Sequence, residues 1–181
     1  MKPAVLRATS SVALLAAAVW LGGLVALGAV AAPVVFSVTP WPSSADAMTI
    51  VFRRFDVLAM ACAAIVLATE AVRAVERARY TRLGIVRTVV GGLAAAGAVV
   101  EGMVISPRIA ALHAAGAIRG VGLGGTEMAR LHDMAEACGQ AEVVLLVAFI
   151  VLQALTLSRV GSRAGSRGGG ATRVDAGSTE T

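Results

Sequence analysis

Charge, aromatic rings, cysteine and histidine are all scarce in this 181-residue chain, and each shortage excludes something. Only 15% of residues are charged, against about a quarter in ordinary water-soluble domains, so a large solvated surface is not being built. Aromatic residues make up 4% and the basic residues do not gather on one face, which excludes nucleic-acid binding despite a net charge of +5. The two cysteines, Cys62 and Cys138, cannot form a disulfide framework. Cys62 lies midway along the second apolar stretch and Cys138 before the fourth, at different depths, and both read as small buried residues. The two histidines, His113 and His132, lie outside the apolar stretches, which argues against an axial haem ligand within a span. There is no methionine-rich run, no paired cysteine or histidine at ligand spacing, and no nucleophile–base arrangement. The glycines between 116 and 125 are not set between a strand and a helix, so they do not form a nucleotide fingerprint. The chain is therefore expected to be non-enzymatic, with no cofactor beyond a divalent metal.

Long apolar segments are what the chain does have. Hydrophobic residues reach 57% and mean hydropathy +0.81. A hydrocarbon layer about 30 Å thick takes ~20 helical residues to cross, and four stretches qualify, at about residues 11–37, 55–73, 83–105 and 139–158. The expected fold is all-α: an integral membrane four-helix bundle over residues 1–157, with a short extracytoplasmic helical cap. The uncharged run after Arg7 lasts until Asp46, far beyond the ~7–15 residues of a signal-peptide core, so the first span is expected to be retained. Pro33 should kink or end it, and with Phe36 close the outer end.

Lys/Arg bias in short loops sets orientation. With both termini in the cytoplasm, eleven of the sixteen basic residues lie on the inner side. Residues 158–181 are rich in Gly, Ser, Arg and Thr and read as a disordered cytoplasmic tail. The segment 106–141 is too apolar for a plain linker. The third helix should run on to about residue 115, glycines should break it, and Thr126 should cap a new helix leading into the fourth span. Within that helix Glu127–Arg130 and Arg130–Asp133 are spaced for surface pairs.

Charged residues inside apolar spans are costly and paired. Glu70 and Arg87 are nearly equidistant from the turn near residues 78–79, so an antiparallel hairpin makes them a structural ion pair. The same register puts Glu101 level with Asp56, near Arg53 and Arg54 at the outer face, where Glu142 opens the fourth span. His132 and Glu136, one helical turn apart, join this outer polar cluster. A metal there would fall to His132, Glu136 and Glu101, although a structural polar network accounts for the same residues. Small residues recur at Gly22, Gly23, Ala26 and Gly28, and at Gly91, Gly92, Ala95, Ala96 and Gly97, as close helix packing in lipid requires.

Several short motifs occur together: Trp20-Leu21-Gly22-Gly23, Pro33-Val34-Val35-Phe36, Phe52-Arg53-Arg54-Phe55, Ser106-Pro107-Arg108-Ile109 and Met128-Ala129-Arg130-Leu131-His132. As a set they resemble the bacterial four-helix membrane proteins defined by domain of unknown function 4149, related to eukaryotic transmembrane protein 205. The resemblance covers about residues 10–157. Two positions depart from the family: Met128 stands where a Phe usually does, and Ala135 replaces a small polar residue. Trp-Leu-Gly-Gly also resembles, more loosely, the membrane domain of copper-resistance D-type proteins. The resemblance implies a multi-pass protein of the bacterial inner membrane. A transporter or metal-stress protein, or a structural subunit with a membrane partner or a second copy of itself, are the alternatives it leaves open. The bilayer is its evident partner.

Overall fold

The computed structural model describes residues 3–75 and 81–168. The turn expected near residues 78–79 lies outside them, as do residues 169–181. Helix α1 (Pro3–Val25) passes through a π-helical segment (Ala26–Ala31) into α2 (Ala32–Val38). Helix α3 (Ser43–Val75) returns, and α4 (Arg82–Val100) passes through a second π segment (Glu101–Ile105) into α5 (Ser106–Ala114). Helix α6 (Gly122–Gly168) completes the chain, and among the described residues there is no strand. Four apolar helices are long enough to cross a membrane: Arg7–Val38, Ser43–Val75, Arg82–Ala114 and Gly122–Leu157. This is a multi-pass transmembrane helical bundle.

Both π segments have the same covalent cause. A proline lacks an N–H and its ring presses on the carbonyl four residues back, so the turn before it opens to a wider hydrogen-bond ring. Pro33 follows the first, where Ala32 N–H bonds Leu27 O, and Pro107 follows the second, where Ser106 N–H bonds Glu101 O. Pro33 thus widens the first span without ending it. At the start of α4, Thr81 accepts a hydrogen bond from Gly84 N–H at 3.2 Å and caps the helix.

The bundle is inside-out in composition. Val19, Leu15, Val57, Leu93 and Val144 are exposed, a surface that suits lipid and not water. Its interior is small and aromatic: Ala13, Ala17 and Trp20 of α1 pack with Phe55, Ala63 and Val66 of α3, Ala94 and Ala95 of α4, and Leu146 and Phe149 of α6. Lipid tails are as apolar as leucine, so close fit rather than hydrophobicity must hold these helices together. The glycines show it. A Cβ on Gly23 would strike the Phe55 ring, and one on Gly91 would sit 3.0 Å from Phe149. Gly22, Gly28 and Gly92 face open space.

The cap differs from its sequence reading in two respects. Helix α6 starts at Gly122, so Thr126 lies inside it, returning its hydroxyl to Gly122 O at 2.9 Å. Arg130 forms neither expected pair: Glu127 accepts from Arg108 at 2.8 Å and Asp133 from Arg119 at 2.9 Å. These partners tie α5 and the connector to α6, a tertiary demand that overrides local spacing. Gly116 and Gly120 take positive φ (76° and 80°) in that connector, where glycine costs least. At the other end α6 continues to Gly168, eleven residues into the segment read as tail. Extending a formed helix costs far less than starting one.

Candidate functional site

Two levels of buried polar groups cross the bundle. The first lies toward the chain termini. Glu70 accepts from Arg73 Nη1 at 2.9 Å, Arg87 Nη2 at 2.8 Å and Thr88 Oγ1 at 2.7 Å. Arg73 also donates to Gln153 Oε1 at 3.0 Å and Ser10 Oγ at 2.6 Å, while Gln153 Nε2 donates to Ser10 O at 3.1 Å. All four spans meet here, and Glu70, Arg73, Arg87 and Gln153 are all buried. The hairpin register brings Glu70 and Arg87 together as expected from sequence. Arg73, Ser10 and Gln153 were not anticipated, and only the i, i+3 spacing of Glu70 and Arg73 was there to signal the first of them.

The second level lies ten to fourteen residues further along each span, about 15–20 Å at 1.5 Å per residue. Here Glu101, Cys138 and Glu142 offer ligand atoms that all lie within 4.8 Å of one another. Trp20 Nε1 donates to Glu142 Oε2 at 3.2 Å. Cys138 Sγ lies 3.7 Å from Gly97 O and 3.8 Å from Glu142 Oε1. A Cβ on Gly97 would come within 2.8 Å of Glu142 Oε1, so glycine at 97 lets the carboxylate lie against α4. Asp56, from α3, packs beside Gly102 and within electrostatic reach of both Glu101 and Glu142. Its Oδ2 is buried with no hydrogen-bond partner. Among the described residues no ion pair joins Asp56, Glu101 or Glu142 to a cation. Two carboxylates and a thiol therefore share one site, in which Glu142 is buried (2% exposed) and Glu101 and Cys138 are half-buried, with the buried Asp56 close by.

Of the expected outer cluster, Asp56, Glu101 and Glu142 are brought together, but inside the bundle. The helices run on well past them and form walls above. Arg53 and Arg54 are exposed at the adjoining turn of α3. His132 and Glu136 do not join. His132 Nδ1 lies 2.9 Å from Met128 O, and Glu136 accepts from Gln140 at 3.2 Å. Neither belongs to the group of ligand atoms that includes Glu101; Cys138 takes that place. The sequence reading passed over Cys138 as a small apolar residue, although its i, i+4 spacing to Glu142 puts the two on one helix face.

A cavity of about 830 Å³ opens beside this cluster. It lies between the first span beyond Leu24, α3, α5 and α6, and His132, Glu136 and Glu101 all line it. The π segment before Pro33 and helix α2 form one wall of it, and no residue from Ala26 to Val38 is buried. Glu101, the first residue of the other π segment, belongs to both the cavity wall and the cluster.

Comparison with known families matches residues 15–117 to the family described as domain of unknown function DUF4149. The chain belongs to that family. The match takes in Trp20, Asp56 and Glu101, whereas Cys138 and Glu142 lie beyond its end. No curated protein and no solved structure matches the chain.

Proposed function

We propose that this member of the DUF4149 family is a non-enzymatic membrane protein that holds a divalent metal ion of borderline softness inside its bundle. Cys138, Glu142 and Glu101 are the ligands and Asp56 is the fourth donor. One observation carries the reading: three ligand atoms from two helices converge within 4.8 Å beside a buried carboxylate oxygen that has no donor. A buried acceptor with no partner calls for a ligand or water. Several negative charges in an apolar interior are also too costly to stand without compensation. Zinc-type ions bind cysteine sulfur at about 2.3 Å and carboxylate oxygen at about 2.0–2.2 Å, so a contraction of about 1 Å brings Cys138, Glu142 and Glu101 to ligating distance of one ion. Trp20, by holding Glu142 Oε2, and Gly97, by admitting its carboxylate, orient the ligand as outer-shell groups do. The mixed thiol and carboxylate set differs from the all-sulfur or imidazole-rich sites that copper favours, which argues against copper as the ion. Titration of the purified chain with Co²⁺ as a zinc surrogate tests the site. A thiolate-to-cobalt absorption band, lost in Cys138→Ser, is expected; a band unchanged by that substitution refutes the ligand set.

We place the protein in the bacterial cytoplasmic membrane with both termini inside. The bias of basic residues toward that side supports this. Reporter fusions between α3 and α4 that read as external overturn it. Gly22 and Gly92 present open small-residue surface of the kind helix partners use, which supports a second copy or another membrane protein as partner. A chain that stays monomeric in detergent and in lipid refutes that part.

A further inference from the structure

The cavity is far larger than a bare ion needs. Its volume of about 830 Å³ falls among sites that enclose organic molecules, typically about 300–1,000 Å³. Aromatic residues number only seven in the whole chain, yet four of them, Phe36, Trp41, Phe52 and Phe55, line this one space. Such concentration in an aromatic-poor sequence marks a surface with a task. Aromatic faces attract cations as well as apolar groups.

The ionisable groups at one end of the cavity are acidic. Glu101 is in the wall, with Glu142 and Asp56 behind it. The two arginines of the wall do not cancel this. Arg119 is paired with Asp133 at 2.9 Å, and the charge of Arg53 acts on Asp56. An apolar, aromatic chamber ending on an unpaired carboxylate is complementary to a cation with an apolar body. A lipid tail would have to lay hydrocarbon against that carboxylate.

We propose that the cavity binds a lipophilic organic cation, of the quaternary ammonium or phosphonium class, with Phe36, Trp41, Phe52 and Phe55 around its apolar body and Glu101 as its counter-ion. The proposal rests on the reading above only in taking Glu101 as an anionic member of the cluster. Because Glu101 serves both sites, the organic cation and the metal ion exclude one another.

The test is equilibrium binding of radiolabelled tetraphenylphosphonium to the full-length chain in detergent, with bound Zn²⁺ measured on the same samples. Wild type should bind phosphonium saturably and release it to Zn²⁺. Glu101→Gln should weaken phosphonium binding about tenfold or more, as expected for a desolvated counter-ion. A Cβ on Gly139, in the cavity wall, meets nothing within 4 Å. Gly139→Leu should therefore project into the chamber and abolish phosphonium binding, with Zn²⁺ bound by the same samples reporting that the bundle is intact. Cys138→Ser should do the reverse. Phosphonium bound by a chain that takes no Zn²⁺ supports this proposal and refutes the metal site. Zn²⁺ bound by a wild type with no saturable phosphonium binding overturns this proposal alone. So does phosphonium binding unaffected by both Glu101→Gln and Gly139→Leu. Lipid that co-purifies with wild type but not with Gly139→Leu, in the absence of phosphonium binding, overturns it in favour of a lipid tail.

Discussion

Replacing Glu70 by Gln isolates the role of charge in the network near the termini. The side chain keeps its size and one acceptor oxygen, but two guanidiniums lose their only carboxylate. Arg73 and Arg87 are 6% and 8% exposed, and their Nε atoms are already buried without partners. Were the network merely hydrogen bonds, the three bonds to Glu70 would be worth about 0.6 kcal/mol each, the average measured between membrane helices, or about 2 kcal/mol together. Removing one partner of a buried ion pair instead costs about 3–5 kcal/mol, because uncompensated charge is left behind. The expected loss is therefore in the higher range, read by SDS-induced unfolding in mixed micelles. The double variant Glu70→Gln/Arg87→Met should be more stable than Glu70→Gln alone, since it removes one of the two stranded charges. A loss of about 2 kcal/mol or less, with no recovery in the double variant, refutes the electrostatic argument.

Gly23→Val should destabilise the bundle by about 1–3 kcal/mol, the usual cost of overpacking, because its Cβ meets the Phe55 ring; Gly22→Ala, facing open space, should be near neutral in the same assay. Cys138 should be alkylated by maleimide in the metal-free chain and protected by Zn²⁺, in a Cys62→Ser background that removes the other thiol; labelling indifferent to Zn²⁺ counts against ligation. Pro107→Ala frees the turn beginning at Glu101 to return to α geometry, re-aiming the Glu101 carboxylate, so metal affinity should fall while circular dichroism keeps its helical signal.

The architecture was legible because it follows from rules that act along the chain. Four apolar stretches fix four spans, and a short connection fixes an antiparallel α3–α4 hairpin. Counting residues from its turn was therefore enough to put Glu70 at Arg87 and Glu101 level with Asp56. What stayed hidden depends on how α1 and α6 rotate and slide against that hairpin, which no short loop dictates. Gln153 reaches Arg73 across 80 residues of chain, and Trp20 reaches Glu142 across 122. The misplaced metal candidates have the same origin. His132 and Glu136 share a helix face by spacing, yet the helix turns that face to the cavity and satisfies both residues along α6. Six residues further on in each case, Cys138 and Glu142 meet Glu101. Pro33 was read as a kink or stop in the first span, but neither it nor Pro107 was read as the source of a π segment beside the cavity.

The claim that the buried cluster is a metal site stands or falls on stoichiometry in paired variants. The full-length chain, dialysed against Zn²⁺ in detergent and analysed for metal, should carry one ion per chain. Glu142→Gln and Cys138→Ser should each lose it, and His132→Ala/Glu136→Ala should keep it. Metal retained by the first two variants, lost from the third, or absent from the wild type contradicts the account.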